Sequence, residues 1–142
     1  MSIYSLGMRT TNVTINQAAV EIITAPTLAI KIMEIKMTLA SGSTSVFGLG
    51  RPQAQGITPV PVYFMPEQNS SDPQSKTVAS LSWATSPTVP GSFLDRVTLY
   101  GTLGAGMIWS FPRGLHVPAS TSLVLWNITA NGTLDLCIKI DE

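Results

Sequence analysis

One histidine, one cysteine and eight carboxylates are the groups from which this 142-residue chain would have to build catalysis or a metal site. His116, in Arg-Gly-Leu-His-Val-Pro, is the sole imidazole for a Ser–His–Asp triad, and no nucleophile elbow accompanies it. A lone histidine in a turn is read as surface structure. Histidine pairs for a metal are excluded by count, and a single Cys137 excludes a multi-cysteine zinc site. Cys137 has no internal partner and sits in an apolar run, where a small buried thiol is expected. The stretch NSSDPQS lacks the acidic density of a calcium loop. Two distant carboxylates brought together by folding could serve glycoside hydrolysis, but eight acids allow many accidental pairs. GLGRPQAQG lacks the Lys-Ser/Thr ending and the following helix of a phosphate loop, so its glycines are read as a tight surface loop. The expectation is no catalytic residue, no cofactor and no metal.

Four Asn-x-Ser/Thr sequences, at Asn12, Asn69, Asn127 and Asn131, are read as accidents of a hydroxyl-rich composition. Trp83, Trp109 and Trp126 have rings that could stack on sugars, though anchoring in a core or interface is the favoured use.

Charge is the unusual part of the composition. Only 11% of residues are charged, eight basic against eight acidic, where an ordinary domain carries about 25%. Fifteen serines and sixteen threonines supply polarity instead. Sparse charge at zero net balance favours self-association. Part of the surface is therefore expected to be buried in an assembly. The basic residues are scattered singly, which argues against nucleic acid as a partner. No apolar run has the length to span a bilayer, and MSIYSLGMRTTNVTINQ lacks the pattern of a secretory signal.

The elements that would position any site read as strands. In TLAIKIMEIKMTLAS, Met33, Ile35, Met37 and Leu39 alternate with Glu34, Lys36 and Thr38, whereas Leu28, Ile30 and Ile32 hold the opposite parity. A β-bulge at Ile32-Met33 explains the flip. Strict alternation decides against a helix over 29–40. AAVEIIT, VPVYFMP, TVASLSWAT, DRVTLYG and GMIWSFP are further short strands, bounded by Pro and Gly. SGSTSVFGLGRPQAQG, PEQNSSDPQSK and SPTVPGS read as loops. The chain is expected to be all-β, one antiparallel sandwich or barrel over residues 1–142, with the first ~10 residues as an extended arm.

Asn131-Gly132 is a strong hairpin signal. A two-residue turn there would face Ala130 with Thr133, Leu125 with Ile138 and Leu123 with Ile140. The first strand would then present Val124, Trp126 and Ile128 on its second face. Either the chain itself or another subunit must cover them. Val124, Trp126 and Ile128 are the residues expected at a subunit interface.

Taken together, FGLGRPQAQG, PEQNSSDPQSKTVASLSW, PTVPGSFLDRVTL and FPRGLHVPASTSLVLWN resemble small tailed-bacteriophage virion proteins, in style and segment order from about Phe47 to Asn127. The resemblance is to jelly-roll proteins that decorate, or cement, a capsid. It implies a jelly-roll β-sandwich and a structural role without enzymatic activity. It also implies a homotrimer whose partners are its own copies and a major capsid protein or another virion protein. Neither nucleic acid nor membrane is touched directly. The location implied is the virion, assembled in the host cytoplasm. The alternative is a jelly-roll module of a tail or head appendage that binds a receptor or glycan through exposed aromatics.

Overall fold

A period-two run stays a strand only where one face finds a core. Ile30–Gly42 does so in the computed structural model, which describes residues 2–11, 13–129 and 131–142. Ile30, Ile32, Ile35, Met37 and Leu39 are all buried. The change of parity is absorbed at Met33: in the neighbouring strand Lys139 pairs with Glu34 and the next residue, Ile140, with Ile32. The expected bulge is present.

In chain order the strands are β1 (Ile3–Arg9), β2 (Gln17–Ile23), β3 (Ile30–Gly42), β4 (Ser45–Pro52), β5 (Ile57–Pro59) and β6 (Val62–Phe64). They continue with β7 (Val78–Ser80), β8 (Trp83–Thr85), β9 (Pro90–Leu99), β10 (Gly106–Val117), β11 (Ser122–Thr129) and β12 (Gly132–Asp141). All pairings are antiparallel. One sheet has the order β1-β12-β3-β10, a second β6-β7-β2-β11-β4-β9, and β5 and β8 form a ribbon of their own. The chain is an antiparallel β-sandwich. Its core joins Leu6, Ile35, Met37, Leu136 and Ile138 of the first sheet to Val20, Ile22, Phe47, Leu49 and Leu125 of the second.

Three expectations are corrected. Residues 3–9 are no free arm: they form β1, paired with β12 along its whole length. The segment read as a long loop contains β4, and Pro90–Ser92, also read as loop, opens β9. The glycines misled there, because Gly48 and Gly50 sit in β4 where Phe93 and Pro90 lie over them. Glycine in a strand often marks such a close approach.

The third correction answers the packing question at the C-terminus. β11 and β12 do not form a hairpin, since β11 pairs with β2 and β4 and β12 with β1 and β3. Ala130 lies outside the described residues. Gly132 exchanges backbone hydrogen bonds with Val13 (2.9 and 3.2 Å). The physical reason is compositional. A strand apolar on both faces needs cover on both, whereas β12, with Asp135, Cys137 and Lys139 on one face, needs an open side. The two strands suit different sheets.

Candidate interaction surface

The second face of β11 is covered by the chain itself. Val124 and Trp126 pack with Ala18, and Trp83, Phe93 and Ile128 close over them. Val124 is 0% exposed and Trp126 6%, so neither is available to a second subunit. The interface expected at Val124, Trp126 and Ile128 is corrected accordingly, with only Ile128 remaining half-buried. The cover comes from Trp83 of β8 and Phe93 of β9, far from β11 in sequence, and Gly56 of the 53–56 loop presses on Trp83 in turn.

A buried carboxylate fastens that cover. Glu21, 0% exposed in β2, accepts hydrogen bonds from Ser122 Oγ (2.7 Å) and from the Gly56 amide (3.2 and 3.3 Å). Burying a carboxylate requires such partners. A Cβ on Gly56 would collide with the Trp83 ring and fall 2.8 Å from Glu21 Oε2. Glycine is needed where the loop presses onto the sheet. The signal was legible as one acid inside AAVEIIT.

The groups with potential chemistry do not converge. His116 lies exposed in β10, opposite Lys31 of β3, and its carbonyl accepts from Arg51 Nη2. Cys137 is half-buried on the outer face of β12, opposite Lys36 and Gly7. Among the described residues no three His, Cys, Asp or Glu side chains are grouped to hold an ion. Asn127 is buried, its Nδ2 donating to the carbonyls of Val13 and Thr14 (3.2 and 3.0 Å), so this sequon is structural. Asn12 lies outside the described residues. Trp109 is buried as well.

The outer face of the four-stranded sheet is rich in charge, with Ile108 exposed opposite Lys36. It carries Arg9, Lys31, Glu34, Lys36, Asp135, Lys139 and Asp141 in rows of opposed sign: Arg9 beside Asp135, Glu34 beside Lys139, Lys31 beside Asp141. Arg9 Nε and Nη2 donate to the Asp135 carboxylate at 2.7 and 2.9 Å and hold its carboxyl below the ordinary range. Such a compensated face suits water.

Residues 52–66, from the end of β4 through β5 and β6, contain no charge at all. Their side chains Ile57, Val60, Val62, Tyr63 and Phe64 are all exposed, Val60 to 64% and Phe64 to 50%. Met65, buried in the core, anchors the end of this ridge, and Ser80 Oγ donates to the Pro61 carbonyl at 3.0 Å. Scattered exposed apolar residues are ordinary, but five within eight residues of an uncharged segment make a candidate contact surface. The sequence showed the strand VPVYFMP without showing which side it would face.

No protein-family model matches the chain, and neither curated proteins nor solved structures give a match.

Proposed function

We propose that the chain is a structural protein of a tailed-bacteriophage virion, a capsid decoration protein that binds and stabilises the head as a homo-oligomer. The observation that carries this reading is the uncharged ridge of Ile57, Val60, Val62, Tyr63 and Phe64 on a sandwich whose opposite face is charge-compensated. A rigid scaffold with one wet face and one apolar edge can be added to an assembly without chemistry. Repetition over a symmetric shell then multiplies each weak contact.

A jelly roll is the proposed form of the sandwich. Taking β1, β2, β3, β4, β9, β10, β11 and β12 as strands one to eight, the sheets run 1-8-3-6 and 2-7-4-5. That interleaving of two Greek keys is what a double-sheet jelly roll requires. The trimer remains an expectation of the resemblance.

The reading is tested by mixing the purified chain with undecorated shells of its phage and measuring co-sedimentation and shell melting temperature. Saturable binding with a raised melting temperature is expected. Shells that neither bind the chain nor gain stability would sink it. The glycan-binding alternative loses ground because Trp109 and Trp126 are covered. It predicts a shift of tryptophan fluorescence with cell-surface polysaccharide, and no shift is expected.

A further inference from the structure

Between β6 and β7 the chain leaves the six-stranded sheet, crosses to the β1 edge of the other sheet and returns. This flap has Met65 buried at its start and Ser75 and Thr77 buried at its end, and no residue between Met65 and Ser75 is buried. Its ties to β1 are polar. Ser5 N donates to the Pro66 carbonyl (3.0 Å), Gln68 N to that of Ile3 (2.9 Å), and the Tyr4 hydroxyl to that of Pro73 (2.8 Å). A segment with so few buried apolar contacts opens at low cost. Once open, it would leave β1 as an unguarded strand edge. The end of the flap is fastened differently. Glu142 exchanges backbone hydrogen bonds with Ser2 (3.0 Å each), so its side chain is carried on the paired β1 and β12. Its carboxylate accepts from Ser75 Oγ (2.8 Å), Lys76 N (2.8 Å) and Thr77 N (3.0 Å). Thr77 Oγ1 is buried beside the same carboxylate and has no other partner.

We propose that Ser75, Lys76 and Thr77 form a carboxylate-binding cradle, filled in the folded chain by Glu142, and that this occupancy clasps the flap over the β1 edge. The inference goes beyond the virion reading and does not depend on it. Successive main-chain N–H groups aimed at one point make an anion-binding concavity. Hydrogen bonds to an ionised acceptor are stronger than neutral ones. Both oxygens are used here: Oε1 takes the Lys76 amide, and Oε2 takes the Thr77 amide and the Ser75 hydroxyl. The turn also organises itself, because Thr77 N donates to Ser75 Oγ (3.1 Å) and Ser75 Oγ to the Thr77 carbonyl (3.3 Å). All the donors lie on the flap and the acceptor lies on the four-stranded sheet, so the contact exists only while the flap is down. Glu142 reaches the cradle from its own chain and therefore excludes a free carboxylate by effective concentration. With Glu142 removed, the cradle should accept acetate. Acetate has the same two oxygens but no tether to β12, so it should fill the cradle without closing the flap.

The test is amide NMR of the full chain at neutral pH, wild type against Glu142→Ala. Hydrogen exchange at Lys76 and Thr77 should rise several-fold in Glu142→Ala, and exchange at Ser5 and Gln68 should rise with it. Exchange at Leu136 and Ile138, inside the sheet, should stay as in wild type. Glu142→Gln keeps one acceptor oxygen and should raise the same rates by less, and it carries the test should Glu142→Ala loosen the sheets. Acetate titrated into Glu142→Ala should shift the Lys76 and Thr77 amide resonances saturably, while Ser5 and Gln68 stay open and chloride at equal ionic strength does nothing. Wild type should not respond to acetate. No saturable shift beyond that of chloride, or an equal response in wild type, would overturn the cradle. Unchanged exchange at Ser5 and Gln68 in both Glu142 variants would overturn the clasp.

Discussion

The ring of Phe93 lies directly on the Cα of Gly48, so that a Cβ at Gly48 would overlap its Cδ1. The pair joins β9 to β4 on the outer side of the six-stranded sheet, beside Trp126. Through such contacts the chain covers its own second face.

Gly48→Ala should therefore act as an overpacking substitution. The ring must swing away or the strand must shift, at a cost of about 1–3 kcal/mol. A lower denaturant midpoint with an unchanged slope is the expected result. Wild-type stability in the variant would mean that Phe93 does not rest on β4.

Trp126→Ala separates self-cover from subunit contact. Loss of a buried aromatic costs about 3–5 kcal/mol. The expected effect falls on unfolding of the chain, with no change in association at a given concentration below the transition. A variant that dissociates before it unfolds would restore Trp126 to an interface.

Glu21 offers a finer comparison. Glu21→Ala strands the buried Ser122 hydroxyl and the part-buried Gly56 amide, and a buried donor left unpaired costs about 1–3 kcal/mol. Glu21→Gln keeps one acceptor oxygen and should lose less. Protease nicking within 53–56 would report whether the loop has lifted, and it should rise in the order wild type, Glu21→Gln, Glu21→Ala.

The last residue gives a pH signature. Burial pushes the Glu142 carboxyl up, but hydrogen bonds from the Lys76 and Thr77 amides and the Ser75 hydroxyl outweigh it and hold the group below its ordinary range. A depressed folded value means stability that is full above the unfolded value, about 4.3 for glutamate, and lost as pH falls through the folded one. Glu142→Gln should cost about 1 kcal/mol at neutral pH, given its partial exposure. That difference from wild type should shrink on acidification below about pH 4 in urea titrations.

How far the fold could be read from sequence depended on whether the signal was local. Period-two alternation at Met33–Leu39 and the parity flip before it are local, and both appear as β3 and its bulge. The apolar second face of β11 was equally plain. What covers it was not, because Trp83 and Phe93 arrive from segments tens of residues away. Asn131-Gly132 misled for the same reason: a favourable turn dipeptide reports nothing about Val13, which takes the backbone bonds of Gly132. Gly48 and Gly50 looked like loop residues because the sequence does not show the side chains that replace their missing Cβ atoms. The ridge at 57–64 was visible as apolar residues, but its exposure depends on β6 being an edge, a property of sheet order.

The most direct measurement is the solution mass of the wild-type chain by light scattering after gel filtration, across a wide concentration range. A mass rising with concentration above the 15.1 kDa of one chain is expected, as for a self-associating structural protein. A constant 15.1 kDa at every concentration would contradict self-association, and with it the use proposed for the uncharged ridge.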